Sequence, residues 1–364
     1  MHSIQRGERM RIRIRKRTRR TALVAATLLP VSALMAACGS ASSASSSATT
    51  SGSQALASSS SGPGKGISID VIGGMPSDPF WSSVKRGGEE AAKLVEAAGG
   101  KVTFLQLQNY NNLGPDAAKL EQTALAQSPS AVVGPDWVPS AQNAAWKQIT
   151  GKGIPVFLYN AGGTAAASAI GAIKYIGSDD YTAGKAGGAA FAAAGAKNVL
   201  CINTLPGATN SEARCKGIAA GEAAAGGKST ELPLPSSNFG NPSAVAQAIK
   251  AALLQNPSVD GVVTIGVSDA DSAASALQQA NLTGKVKLGT FDLSMSQLQR
   301  IKAGTQLFAI DQQPYLQGFY AVIMAFQYLE YGVLPPQNPM LTGPLIVNSS
   351  NVNKAIAGAK AGVR

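Results

Sequence analysis

Short apolar segments alternate with longer Ala-rich segments from about residue 67 onward. The apolar segments are rich in Val, Ile and Leu, which favours short buried strands. The Ala-rich segments place apolar residues at helical spacing. After Asp78 and Pro79, for example, Val84, Ala91 and Val95 fall on one helical face. Such alternation of strand and helix predicts parallel sheets that are covered by helices on both faces.

The pattern forms two successive runs, the second of which begins after Tyr175. We therefore predict an α/β protein with two doubly wound parallel-sheet domains. The predicted strands are 67–72, 102–107, 131–134, 155–159, 198–203, 230–234, 261–265 and 287–291. The first predicted helix starts at Asp78-Pro79 and stops at Gly99-Gly100. The other predicted helices are 116–127, 140–150, 181–194, 212–225, 242–254, 270–280 and 295–303.

The first 38 residues have the features of a secretory signal (1–37) that ends at a cysteine. A basic run at 11–20 precedes the apolar residues 22–37, which are few and are interrupted by Pro30. The small residues before Cys38 resemble a bacterial lipobox, which implies that the Cys38 thiol carries diacylglycerol and anchors the protein to the outer face of the cell membrane. An ordinary signal peptide with an incidental cysteine is the alternative.

Residues 38–66 form a Ser/Ala/Gly-rich linker with almost no apolar bulk. Such a composition predicts a flexible tether that holds a folded body away from the membrane. The body that follows is about 300 residues long, which is enough for two domains with cores of their own.

Removal of the signal changes the charge of the protein. Nine of the 31 Lys and Arg residues and one of the 20 Asp and Glu residues lie in 1–37, which leaves 22 basic against 19 acidic residues and a net charge of about +3. No basic patch remains that would indicate nucleic-acid binding. The single histidine, His2, is lost as well, which excludes a Ser-His-Asp or Cys-His pair and most zinc sites. We expect no catalytic residue, no metal and no cofactor.

Two cysteines, Cys201 and Cys215, remain in the body. An even number of cysteines outside the cell is typical of a disulfide, and two buried free thiols are the alternative.

Ligands of open α/β sheets collect beyond the carboxyl ends of the strands, so the residues that follow each strand are the candidates for binding. The predicted strand ends carry aromatic, carboxylate, amide and arginine side chains. Planar rings cover the C–H faces of a sugar, and the charged or amide groups hydrogen-bond its hydroxyls. Arg214 and Asp292 are expected to point into a cleft that is solvated in the open form. The candidates are Asp78, Phe80, Trp81, Trp137, Asn160, Arg214, Phe239, Asp269, Asp292 and Gln312.

Four segments together resemble the type I periplasmic sugar-binding proteins, close to the ribose-binding family. They are residues 67–85 with Asp78-Pro-Phe-Trp81, residues 175–184, Phe291-Asp292 and residues 310–317. The resemblance implies two hinged lobes that close on a sugar and deliver it to an ABC transporter permease. The implied lobes are 67–177 plus 314–342 and 178–313 plus 343–364, joined by a multi-strand hinge.

The resemblance also implies roles for single residues. Asp78, Phe80 and Trp81 match the first-loop polar residue and stacking aromatics, and Asn160 stands where the family has a ring-binding Asp. Arg214, Phe239, Asp292 and Gln312 match a sugar-binding Arg, a second-lobe aromatic, a hydroxyl acceptor and a hinge amide. Ala161 and Gly266 replace an Arg and an Asn of ribose binders, and Trp137 and Asp269 are expected to compensate. Another pentose, a hexose or a polyol is therefore expected instead of ribose.

The expected function is an extracellular solute-binding lipoprotein, a monomer whose partners are a small sugar or polyol, a permease and, through the lipid, the membrane. A receptor subunit for chemosensing or signalling is an alternative from the same fold. A carboxylate-dependent extracellular glycosidase is an alternative of a different class.

Overall fold

A computed structural model describes residues 63–364. The signal, Cys38 and most of the linker lie outside the described residues. The described chain folds into two α/β lobes, each built on a six-stranded sheet.

The first lobe has an all-parallel sheet in the order β11-β5-β4-β3-β1-β2. Its strands are β1 (Ser68–Gly73), β2 (Lys101–Gln106), β3 (Ala131–Gly134), β4 (Val156–Tyr159), β5 (Lys174–Ser178) and β11 (Met340–Gly343). Its helices are α1 (Pro79–Ala97), α2 (Leu113–Gln127), α3 (Pro139–Gly151), α4 (Gly163–Ile170) and α10 (Pro314–Tyr331).

The second lobe repeats this arrangement in the order β12-β10-β9-β8-β6-β7, with only β12 antiparallel. Its strands are β6 (Asn198–Asn203), β7 (Lys228–Pro233), β8 (Gly261–Thr264), β9 (Lys287–Phe291), β10 (Phe308–Asp311) and β12 (Leu345–Val347). Its helices are α5 (Asp180–Ala193), α6 (Thr209–Ala223), α7 (Pro242–Gln255), α8 (Val267–Gln279), α9 (Met295–Lys302) and α11 (Val352–Lys360).

The chain passes between the two sheets three times: from β5 to α5, from β10 to α10 and from β11 to β12. Both faces of each sheet are buried, so neighbouring strand residues belong to different cores. Ile69 and Val71 pack under α1 and α10, for example, whereas Ile72 packs with Trp146 of α3. The predicted fold class is confirmed.

The ends of each predicted strand lie within two residues of the observed ends. Where the predicted and observed helix starts differ, the reason is local. Helices α2, α6 and α8 begin three residues before their predicted starts. Ala208 and Gly266, which precede α6 and α8, make no side-chain cap hydrogen bond, so no capping residue marked these starts. By contrast, Asp78 caps α1 and Asn241 caps α7 through their side chains.

The backbones of helices α5 and α6 pack directly against each other. A Cβ atom built on Gly184 would lie only 2.3 Å from the carbonyl oxygen of Arg214, and one on Gly217 would lie 2.3 Å from the carbonyl oxygen of Tyr181. Glycine at these positions therefore lets α6 lie directly against α5, which begins at Asp180. This contact brings the side chains of Arg214 and Asp180 within reach of each other.

A disulfide joins Cys201 of β6 to Cys215 of α6, with their Cα atoms 5.7 Å apart. The two cysteines are 14 positions apart in the sequence, and the bond ties α6 to the sheet next to Arg214. We expect the Cys201→Ser/Cys215→Ser double variant to lose about 3 kcal/mol of unfolding free energy, measured by urea denaturation. Two reactive thiols in unreduced, denatured Cys38→Ala protein would contradict the pairing.

Candidate ligand-binding site

A cavity of about 50 Å³ lies between the carboxyl ends of the strands of the two sheets. Both lobes contribute to its wall, and most lining residues directly follow a strand or begin a helix. The lining residues are Asp78, Phe80, Trp81, Tyr110, Leu113, Trp137, Asn160, Leu205, Asn210, Ser211, Arg214, Phe239, Ile265, Gly266, Val267, Ser268, Asp292 and Gln312.

The wall of the first lobe is largely aromatic. The Trp81 ring packs edge to face against Phe80, Trp137 and Tyr159, with ring centroids 5.4, 5.3 and 5.9 Å apart. Gly74 gives it room, because a Cβ there would lie 2.3 Å from the indole nitrogen of Trp81. The rings thus form a rigid apolar surface within the cavity.

The Asp78 carboxylate has two fixed partners within the first lobe. Its Oδ1 accepts from the backbone N–H of Phe80 at 2.9 Å, and its Oδ2 accepts from the Tyr110 hydroxyl at 3.0 Å. Burial raises the pKa of Asp78 to about 6, although both hydrogen bonds act to lower it.

Arg214 is held by three elements of the second lobe. Its Nε donates to Asp180 at 2.8 Å, its Nη1 donates to the carbonyl of Ile265 at 2.7 Å, and its guanidinium lies 4.8 Å from the centre of the Phe291 ring. Burial by itself would lower the pKa of Arg214, but the carboxylates of Asp180 and Asp292 raise it above its usual value. The described residues supply no acceptor for Nη2, which leaves this end of the fork for a ligand.

Asp292 follows β9, and its backbone conformation turns it out of the strand. Its φ is 62°, in the left-handed region, and Asn160 after β4 has a φ of 63°. The Gln312 side chain donates to Oδ1 of Asp292. Burial raises the pKa of Asp292 to about 7, while Arg214 and Gln312 act to lower it.

Two acceptor atoms of the wall have no hydrogen-bond partner among residues 63–364. They are Oε1 of Gln312 and Oδ1 of Asn210, both buried. A buried acceptor without a partner costs free energy, so both favour a ligand that brings hydroxyl donors.

The two lobes touch each other across the cavity. The backbone N–H of Thr209 in α6 donates to the carbonyl of Trp137 at 2.8 Å. The rings of Tyr110 and Phe239, from opposite lobes, meet edge to face with centroids 4.6 Å apart. The structure therefore describes the lobes in contact.

Of the ten candidate residues, the structure brings nine to the cavity wall: Asp78, Phe80, Trp81, Trp137, Asn160, Arg214, Phe239, Asp292 and Gln312. Asp269 does not line the cavity. Because α8 begins at Val267, Asp269 lies in its first turn, where its carboxylate accepts from the Thr204 hydroxyl at 2.6 Å. Arg214 and Asp292 were expected to point into a solvated cleft in the open form. In this conformation, with the lobes in contact, they are 4% and 7% exposed.

Sequence reasoning missed Tyr110, which follows β2 and precedes α2. The rule that strand ends carry the site would have found it, because Tyr110 stands four residues past the end of β2. Three lining residues in the first turns of α6 and α8 were also not identified from the sequence, because no capping residue marked the starts of these helices. They are Asn210, Ser211 and Ser268.

Residues 63–364 contain no group of three or more His, Cys, Asp or Glu side chains placed to hold a metal ion. Within the same residues, none of the helices combines the length and apolar character that crossing a bilayer requires.

Comparison with known proteins identifies similar chains. Residues 69–332 match the family model described as periplasmic binding protein domain. A carbohydrate transporter structure from Acidothermus cellulolyticus, in complex with myo-inositol, is 30% identical, with a TM-score of 0.74 and coverage of 82% of this chain and 99% of that one.

Two further relatives are more distant in sequence. An ABC transporter solute-binding protein from Agrobacterium vitis, bound with α-D-tagatopyranose, is 26% identical, with a TM-score of 0.68 and coverage of 80% of this chain and 98% of that one. The xylose/arabinose-binding protein of Sulfolobus acidocaldarius is 23% identical over 312 residues, which cover 80% of this chain and 73% of that protein.

Proposed function

The chain belongs to the periplasmic binding protein domain family, and from this premise we propose that it is an extracellular solute-binding lipoprotein of an ABC transporter. In this proposal it captures a small sugar or polyol between its two lobes and delivers it to a permease. It binds its ligand and does not convert it.

The chemistry of the cavity wall is the observation that carries the proposal. The Trp81 surface suits the C–H face of a saturated ring, while Asp292 and Nη2 of Arg214 suit its hydroxyls. The unpartnered oxygens of Gln312 and Asn210 are further acceptors. A polyhydroxylated ring satisfies all of these groups together.

The wall also has room beside Asp292 that favours a ligand with more ring substituents than ribose. Gly266 lines the cavity without a side chain, and the nearest atom to a Cβ built there is Oδ2 of Asp292, at 4.0 Å. The relatives at 30% and 26% identity are bound with myo-inositol and α-D-tagatopyranose, each of which has six carbon atoms where ribose has five. A hexose or a cyclitol is therefore the ligand class that we favour.

The direct test is calorimetry with myo-inositol, D-tagatose, D-xylose and L-arabinose, preceded by a thermal-shift screen. We expect at least one of them to bind and to raise the melting temperature by mass action. Leucine, which offers no hydroxyls, is the control and should bind no better than buffer. Failure of every sugar and polyol in a wider screen, or conversion of one into a product, would refute the proposed function.

Lipid anchoring at Cys38 is a separate part of the proposal, supported by the small residues that precede it. A single diacylglyceryl group adds enough apolar surface to hold the body at a bilayer. We expect wild-type protein to enter the detergent phase with the membrane fraction and Cys38→Ala protein to stay in the aqueous phase. A Cys38→Ala protein that still partitions into detergent would remove the anchor from the proposal.

A further inference from the structure

Tyr110 contacts both the carboxylate of Asp78, which lines the cavity, and an aromatic ring of the opposite lobe. Its hydroxyl donates to Oδ2 of Asp78 at 3.0 Å and accepts from the backbone N–H of Met75 at 3.1 Å. Its ring packs against Phe239 of the other lobe at a centroid distance of 4.6 Å. We propose that Tyr110 is a positioning residue that orients Asp78 toward the ligand and is itself fixed by Phe239 when the lobes meet. This inference rests on the proposed function.

The direction of the hydrogen bond between Tyr110 and Asp78 is determined by their surroundings. Burial and the neighbouring Asp78 hold the pKa of Tyr110 well above its usual value, so its hydroxyl stays protonated and donates. A tyrosine hydroxyl has one proton, and here Asp78 receives it. With Phe80 N–H on Oδ1 and Tyr110 on Oδ2, the carboxylate cannot rotate freely.

The contact with Phe239 involves the opposite lobe and therefore depends on closure. Asp78 and Tyr110 both lie in the first lobe, whereas Phe239 follows a short 3₁₀ turn (Ser236–Asn238) of the second lobe. The hydrogen bond can thus form in either state, and the ring contact can form only when the lobes are together. An edge-to-face pair of this kind contributes beyond its buried area.

Two variants separate these contacts. Tyr110→Phe keeps the ring and removes the hydroxyl, whereas Phe239→Ala keeps the hydrogen bond and removes the contact between the lobes. With myo-inositol as the probe, or the tightest-binding sugar of the screen, we expect Tyr110→Phe to weaken binding about tenfold, because a hydrogen bond to a charged group is lost. We expect Phe239→Ala to weaken binding as well. Tyr331→Phe makes the same chemical change at an exposed position and should leave affinity unchanged.

The second readout needs no ligand. Titration of the Asp78 carboxyl by carbon-13 NMR in ligand-free protein should show a higher pKa in Tyr110→Phe than in wild type, because the lost hydrogen bond stabilises the carboxylate. Phe239→Ala should leave this pKa unchanged. If Tyr110→Phe leaves either the Asp78 pKa or the ligand affinity unchanged, Tyr110 does not position Asp78. Wild-type protein that binds no sugar overturns the proposed function instead, and the NMR titration still decides whether Tyr110 acts on Asp78.

Discussion

Replacement of Asp292 by asparagine should weaken ligand binding about tenfold to a hundredfold and leave the ligand-free protein at least as stable as wild type at pH 8. The binding loss follows because a carboxylate accepts hydroxyl protons, whereas the amide presents a donor in place of one oxygen. The hydrogen bond from Gln312 to Oδ1 can remain. Calorimetry and thermal unfolding measure the two effects.

The stability part follows from the pKa of Asp292, which burial raises from 3.8 to about 7. Folding therefore favours the protonated form of the Asp292 carboxyl. The stability that Asp292 contributes is fully present below pH 3.8 and is lost as the pH rises through about 7, where the buried carboxyl must ionise. Asparagine does not titrate, so the variant should lose less stability than wild type between pH 5 and pH 8. Asp116→Asn makes the same change on α2 and serves as the control. Unchanged affinity in Asp292→Asn would remove Asp292 from the site.

Arg214→Ala should lower the free energy of unfolding by about 3–5 kcal/mol, in addition to abolishing measurable binding. The Arg214 side chain is 5% exposed and is ion-paired with the Asp180 side chain, which is 9% exposed. Its removal therefore leaves a buried carboxylate without its partner. Urea denaturation measures the loss. Arg300→Ala is the matched control, because Arg300 pairs with Asp271 in the same lobe at a more exposed position and should cost less than about 1 kcal/mol.

A double replacement separates stability from binding. In Arg214→Met/Asp180→Leu both charges are gone and the volume is largely kept, so most of the lost stability should return. Binding should not return, because the donor fork is still missing. If Arg214→Ala melts like wild type, the buried ion pair contributes nothing, and the geometry described for Arg214 is wrong.

The alternation of apolar and Ala-rich segments was sufficient to predict the fold class and eight of the twelve strands that residues 63–364 contain. The missed elements include β5 and β10, which are buried throughout, and α10, which is 18 residues long. Other missed elements carry a weaker signal. Helix α4 begins at Gly163, and the preceding Gly162 has no side chain with which to cap it. The edge strands β11 and β12 are only four and three residues long.

The cavity residues were predictable wherever they directly follow a strand, as Asn160 and Asp292 do. Their partners were not predictable, because Arg214 and Asp180 are 34 residues apart and meet only through the glycine contacts of α5 and α6. Asp269 shows the opposite error. It stands past the end of β8, but one early turn of helix carries its carboxylate to Thr204 instead of to the cavity.

The three passages of the chain between the sheets bear on the order in which the lobes can fold. The first lobe needs α10 (Pro314–Tyr331), whose Ala321, Val322 and Phe326 complete the core under β1 and α1. The second lobe holds β6 to β10 within one continuous stretch and takes only β12 and α11 from later in the chain. In a chain that emerges amino end first, the second lobe can therefore collapse around its own sheet while the first still exposes one apolar face. The second lobe is in turn completed only by β12 and α11, which follow the first lobe's last strand β11 in the chain. Each lobe therefore exposes part of its core until the carboxyl-terminal segment has arrived, and a folding chaperone would find an apolar surface on both.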